Sequence, residues 1–445
     1  FRTTYAFANR YFFEYNGAYN GSVRFSAENR FAFFNSGALG WLITEEEFMK
    51  PLRFIDMLKV RASYGEIGDD NIVVNNVPLR WMYMTQWAYG GTSSLEVNNG
   101  RSPYTWYRES AVGNPDVHWE TVRKTNLGLD YSFLGGLFAG SVELFRDNRR
   151  DILVNGAART VPPYYGATPA TANLGKVKTD GYELELRVNK VLANKMRLWG
   201  NFSMTHAKNT ILEKDDPALY AAYQKAAGFS IDQNRAYVDA GFVNNYDEVY
   251  ASTVHDKTDL HKLPGDYYVI DFNADGVIDS KDNVPYGYSG SPQNTYNATL
   301  GLEWKGFSAF VQFYGVNNVT RVVNLTSFGS KLNTVYDLGT WWANDHNNAE
   351  ITTPRWTSTP TYNDGTQYMF DGSYVRLKNA EVAYTFNGGW VKSVGLNNLR
   401  IFLNGNNLWV WSVMPDDRES NFAGAGGQGA YPTMKRFNLG LKLTL

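Results

Sequence analysis

The feature that most constrains this chain is an alternation with a period of two. Over its last residues, Phe437, Leu439, Leu441, Leu443 and Leu445 are separated by Asn438, Gly440, Lys442 and Thr444. A β-strand turns successive side chains to opposite faces, so this stretch has one apolar face and one polar face. The pattern recurs. Leu58, Val60, Ala62 and Tyr64 alternate with Lys59, Arg61, Ser63 and Gly65, and Tyr182, Leu184, Leu186 and Val188 alternate with Glu183, Glu185, Arg187 and Asn189. Strands of this kind face either a hydrophobic core in water, or lipid on one side and a wet lumen on the other.

The connections separate these two outcomes. Short turns at Ala8-Asn9-Arg10, Gly135-Gly136, 192–195 and Lys305-Gly306 alternate with long irregular stretches at 66–117, 147–179, 208–293, 315–372 and 415–429. A membrane barrel has that asymmetry, with short periplasmic turns and long extracellular loops. A soluble β-rich glycan-binding or hydrolytic protein also alternates faces, but a sandwich rarely places so many long loops at one end. The fold class expected is therefore all-β, an antiparallel transmembrane β-barrel with about 13 strands in this chain. An odd strand count brings the C-terminus to the periplasmic side. Within the longest loop, Ala, Tyr and Gln over 217–227 predict a short helix.

Composition agrees once the alternation is taken into account. The mean hydropathy of -0.40 is that of a soluble protein, but a barrel hides its lipid face in every second residue. Aromatic residues make up 16% of the chain, as expected where rings form girdles at two membrane interfaces. No run of apolar residues is long enough for a transmembrane helix. Cysteine is absent, so thiolate chemistry and disulfides are excluded. The net charge of -2 gives no support to nucleic-acid binding.

One motif carries metal chemistry. Asp271, Asn273, Asp275, Val277 (through its carbonyl), Asp279 and Asp282 stand at positions 1, 3, 5, 7, 9 and 12 of an EF-hand-like calcium loop, with Gly276 at the sixth. A hard cation such as Ca2+ requires such an oxygen cage. The alternative is a run of Asx turns in a polar loop. Gly424 to Gly429 satisfies G-x-G-x-x-G but has no surrounding βαβ unit, so it is not read as a nucleotide site. No G-x-S-x-G elbow is present, and no enzymatic chemistry is expected. Loop aromatics Trp81, Trp87, Tyr104, Trp106, Tyr107, Trp341 and Trp342 are candidates for substrate or lid contact, since rings stack on sugars and anchor partners. Packing of the loops onto one another competes with that role.

Several stretches together resemble the SusC/RagA class of TonB-dependent transporters. They are Asn20-Gly21-Ser22 with Arg24-Phe25, Leu58 to Gly65, Asn114-Pro115 with Trp119-Glu120, Ser373 to Asn379, Asn404 to Leu408, and Tyr431-Pro432 before the last strand. The resemblance implies a barrel of about 22 strands in the outer membrane, importing oligosaccharides or oligopeptides. It implies energy from TonB, a SusD-like surface lipoprotein as a hinged lid, and pairing of transporter-and-lid units. It also implies that residues 1–445 are the C-terminal part of one barrel domain, with the TonB box, plug and first strands expected upstream of this chain. The rival expectation is a structural barrel subunit of a larger outer-membrane machine that transports nothing.

Overall fold

The computed structural model describes residues 1–71, 73–74, 77–78, 80–92, 105–162, 164, 168–255, 262–322, 341–344, 365–414 and 433–444. Gly424 to Gly429, Tyr104 and Leu445 lie outside the described residues.

The alternating segments form one 13-stranded antiparallel sheet in which each strand pairs with its neighbours in chain order. The strands are β1 (Arg2–Phe7), β2 (Tyr11–Gly21), β3 (Phe31–Leu42), β4 (Ile55–Asp69), β5 (Glu120–Phe133), β6 (Phe138–Val154) and β7 (Ala172–Val191). They continue as β8 (Arg197–Glu213), β9 (Asn294–Trp304), β10 (Phe307–Asn317), β11 (Tyr374–Phe386), β12 (Asn398–Ser412) and β13 (Arg436–Thr444). The up-and-down order follows from the short turns, which can join only antiparallel neighbours.

The register carries the two faces across the whole sheet. Leu439 pairs with Leu403 and Leu441 with Ile401, while Asn438 pairs with Asn404 and Lys442 with Arg400. Leu439 is 77% exposed and Phe437 72% exposed. Such exposure of a continuous leucine row is unfavourable in water and favourable against lipid tails. The main clusters of buried hydrophobic side chains join loop residues to the long-loop ends of strands. One cluster contains Phe25, Phe34, Met82, Val117 and Trp119, another Val316, Val319, Tyr374 and Met414.

Aromatic side chains concentrate at the two strand ends. At the short-turn end Phe7 stacks near Tyr11 at 6.4 Å, Tyr131 near Phe133 at 5.5 Å, and Phe386 meets Tyr384 at 4.6 Å and Trp390 at 5.5 Å. At the other end Tyr19 stacks on Phe31 at 5.4 Å, and Phe313 approaches Trp411 at 6.3 Å. Rings at both strand ends match the two aromatic belts expected of a membrane barrel.

Two differences from expectation have clear causes. The segment 217–227 forms turns instead of a helix. There the carboxylate of Asp216 accepts the N–H groups of Ala226 and Ala227 at 3.0 and 2.9 Å, closing the segment into a loop that weak helix propensity cannot resist. The strands also run further than the alternation does. β6, β7 and β8 have 17, 20 and 17 residues, well beyond the roughly 9–11 needed to cross a bilayer. Their outer ends carry ion pairs such as Arg146–Asp180 at 2.5 Å and Lys124–Asp147 at 3.1 Å, where water surrounds both faces and apolar alternation is no longer required.

Candidate functional site

The polar face of the sheet is built from the residues opposite the lipid row. On its charged sector, Arg61 of β4 donates to both carboxylate oxygens of Asp130 on β5, at 2.8 and 2.9 Å, and to Glu143 on β6 at 2.6 Å. Asn126 donates to the second oxygen of Glu143 at 3.0 Å. The planar guanidinium suits this forked role, since it presents donors toward two carboxylates at once. Further round, Arg400 of β12 pairs with Glu381 of β11 at 2.6 Å. The sequence names these residues as the polar members of each alternation, but only the register brings them together.

The loops at the far end of the strands form a cap with its own packing. Trp119 is buried between Phe25 and Phe34, with ring centroids 5.4 Å from each, and its indole N–H donates to the Arg30 carbonyl at 3.2 Å. It was not among the aromatic candidates, although it is the ring that ties the loop carrying Phe25 and Arg30 to strand β3. The candidates divide into separate groups. Residues Gln86–Thr92 and Thr105–Ala111 form a two-stranded ribbon. Its register puts Trp87, Tyr89, Tyr107 and Glu109 on one face, with Trp87 63% and Tyr107 64% exposed and Tyr89 edge-on to Tyr107 at 5.9 Å. Trp106 lies in the same ribbon, and Trp81 is exposed at the turn before it. Trp341 is exposed, and the Trp342 indole donates to Asn244 at 3.3 Å, beside the helix Tyr246–Ala251.

The 271–282 loop is folded on itself. Asp271 accepts from the N–H of Gly276 at 2.8 Å, Asn273 from that of Asp275 at 2.9 Å, and Asp275 from that of Val277 at 3.1 Å. Asp282 is fully buried and accepts from the N–H groups of Phe272, Asn273 and Asp279 at 2.8, 3.2 and 2.8 Å. Val277 pairs with Val254 in a short parallel bridge. The ammonium of Lys281 lies 2.8 Å from Asp275 and 3.1 Å from Asp279. It holds the Asp275 carboxyl below the usual aspartate range, helped by the Val277 N–H and Asn273, and is itself raised by Asp275 and Asp279. The donor chemistry fits Ca2+. In the structure the Lys281 ammonium pairs with two of those carboxylates, and Asp282 accepts backbone N–H groups. Among the described residues, no three acidic or histidine side chains converge as a metal site.

The wall, its two faces and its cap can be set beside known proteins. Residues 2–408 match the family model described as "TonB dependent receptor-like, beta-barrel". The chain belongs to that family. TonB-dependent receptor P3 of Formosa agariphila is 26% identical over 476 residues, covering 99% of this chain and 45% of the relative. TonB-dependent receptor SusC of Bacteroides thetaiotaomicron is 27% identical over 413 residues, covering 87% of this chain and 38% of the relative. The RagAB peptide transporter structure superposes with a TM-score of 0.72 at 18% identity, over 99% of this chain and 46% of that one. At that identity the likeness is one of fold. The SusC/RagA-like resemblance read from the sequence therefore holds, and the family is one of outer-membrane β-barrel transporters. The chain spans less than half the length of these relatives.

Proposed function

We propose that this chain forms the C-terminal wall and loop cap of a TonB-dependent importer of oligosaccharides or oligopeptides. The observation that carries the reading is the sheet itself, with an exposed leucine row on one face and a hydrogen-bonded polar wall on the other. TonB would act through parts of the protein outside this chain. A SusD-like lipoprotein would close over the loop cap, and the exposed Trp87–Tyr107 face with Trp81, Trp341 and Trp342 would contact the lid or the substrate. Transporter-and-lid units would pair in the membrane. β13 ends at the short-turn end of the sheet, where Asn397 donates its N–H to the Thr444 carbonyl at 2.8 Å, so the proposed orientation puts Thr444 on the periplasmic side. Import requires no covalent chemistry from these residues.

Ca2+ in the 271–282 loop belongs to the same proposal as a loop stabiliser competing with Lys281, and no transport step runs through it. The experiment is growth of a deletion strain on a panel of glycans and peptides. A defect on one substrate class is expected. Normal growth on every substrate would contradict import and favour a purely structural barrel subunit.

A further inference from the structure

On β5 to β8 the outer face of the sheet, the one that carries the apolar row, changes character at a single level. Leu127, Leu144 and Tyr182 sit opposite one another near the top of that row, with Leu127 49% and Leu144 53% exposed. One pleat nearer the long-loop end, Thr125, Arg146, Asp180 and Lys208 form the next row in register. Arg123 and Lys178 belong to the row above it. These side chains share the face of the leucines and not that of the lumen, because each lies an even number of residues from a member of the apolar row.

The charges on this face do not cancel. Asp180 is shared by two cations, Arg146 at 2.5 Å and Lys178 at 2.8 Å. Arg123 has Glu66 at 2.9 Å, and Lys176 has Glu213 at 2.7 Å. Among the described residues, Lys208 and Arg150 have no ion-pair partner. Even with Asp151 set against Arg123, the patch as a whole stays positive. The outward face at the same end of other strands differs. Tyr19 and Phe31 stack there at 5.4 Å on β2 and β3, and β12 carries Trp409 and Trp411. Leu127 and Leu144 on the apolar side, with Thr125, Arg146 and Asp180 on the charged side, line a shallow depression of about 520 Å³ that crosses the boundary.

A ligand for such a depression has to be apolar below and anionic above. Arg146 uses its Nε–H on Asp180, which leaves its terminal N–H groups to fork onto a phosphate. Lys208 adds an unshared point charge on the adjoining strand of the same level. The stems of both side chains can lie along the apolar surface while their heads stay at the height of lipid headgroups. Basic side chains at that height are attracted to anionic lipid, and basic pockets on membrane proteins take lipid phosphates. A free phosphate would use the cations and leave the leucine side unexplained. A lipid with a neutral headgroup would cover the leucines and leave the excess charge unmatched.

We propose that this patch is a binding site for an anionic, phosphate-bearing lipid of the outer leaflet. The phosphate sits among Arg146, Lys178 and Lys208, and an acyl chain lies over Leu127 and Leu144. The proposal rests on the barrel orientation given above and is independent of what the barrel imports.

The test uses the native full-length transporter, purified from its own outer membrane in a mild non-ionic detergent and freed of bound lipid. Native mass spectrometry follows the binding of diphosphorylated lipid A, the same lipid with its phosphates removed, and inorganic phosphate. Lipid A is expected to bind, and its affinity to fall about tenfold in the double variant Arg146→Gln, Lys208→Ala, the effect of two cations at a charged membrane surface. Arg146→Lys, which keeps the charge, retains most of the affinity. Lys124→Ala, on the lumenal face of the same strands, leaves it unchanged. Folding is followed by heat-modifiable gel mobility. If the double variant does not fold, Lys208→Ala carries the test alone, with an expected drop of about threefold. Equal binding of the dephosphorylated lipid, binding of inorganic phosphate only, or unchanged affinity in the folded variants would overturn the proposal while leaving the import reading intact. Orientation is read separately from Leu219→Cys, at a position 99% exposed in the loop after β8. It is expected to react with a membrane-impermeant thiol reagent on intact cells. No reaction there would overturn the orientation on which both readings rest.

Discussion

Arg61 on β4 reaches across β5 to hold Glu143 on β6 at 2.6 Å, while its other edge holds Asp130 on the strand between them. One guanidinium therefore ties three consecutive strands on the lumenal side, where no hydrophobic core is available to do so. Arg61→Met should leave two neighbouring carboxylates without their shared counter-charge. The expected cost is about 1–3 kcal/mol, the scale of hydrogen bonds to charged groups in a partly wet setting. Reversible unfolding of the full protein in detergent measures it. An unchanged midpoint would show that water substitutes fully for the arginine.

Trp119 should matter to the loops and little to the barrel. Trp119→Ala removes a buried ring between Phe25 and Phe34 and leaves the Arg30 carbonyl without its donor. The expected local loss is about 3–5 kcal/mol, read as faster limited proteolysis within 22–30 and 113–119. Heat-modifiable mobility should stay as in the wild type. Equal protease resistance in the two proteins would contradict the assignment of a loop core here.

The 271–282 loop should depend on pH in both directions. Asp275 has a depressed pKa in the folded loop, so its contribution is present above its unfolded value and is lost as pH falls through the depressed one. Lys281 has a raised pKa, so its contribution is complete below its unfolded value and is lost as pH rises through the raised one. Protection of the loop from proteolysis should therefore be flat across neutral pH and fall at both extremes. Lys281→Ala should remove the alkaline limb and increase protection by added Ca2+, since the competing ammonium is gone. Loss of protection near neutrality in the wild type would contradict this electrostatic account.

Asp56 receives the N–H groups of Gly135 and Gly136 at 3.1 and 2.8 Å and the Ser132 hydroxyl at 3.3 Å, pinning the turn between β5 and β6. Asp56→Ala should cost about 1–2 kcal/mol by leaving two turn donors to water. Slower refolding from urea into detergent, together with a lower unfolding midpoint, is the expected outcome. Asp56→Asn should recover part of the loss.

Much of the wall was legible because lipid imposes a strict rule. Within the bilayer, Leu58, Val60, Ala62 and Tyr64 have to share one face, and a period of two reveals them without knowledge of any partner. Beyond the bilayer the rule lapses. Arg146, Asp147, Arg149 and Arg150 crowd both faces of β6, and the strand continues because its neighbours pair with it. The site was less legible. Asn297, Gln312, Asn379, Asn404 and Asn438 each read as an ordinary polar residue. The hydrogen bonds that link them along the polar face exist only through register, and the shift between Gln312 and Phe313 that brings them into line leaves no mark in the sequence. For the acidic loop, spacing identified the oxygen donors but not the side chain of Lys281 folding back between them.

The central claim is that one face of this sheet meets lipid and the other meets the lumen. The chain contains no cysteine, so single cysteines placed in the native full-length protein report without background. Cysteine at Asn438, Gly440 and Lys442 is predicted to react with a membrane-impermeant thiol reagent in intact outer membranes, while cysteine at Leu439, Leu441 and Leu443 stays protected until detergent is replaced by denaturant. Equal reactivity along Phe437 to Leu443, or recovery of the protein in the aqueous fraction, would contradict it.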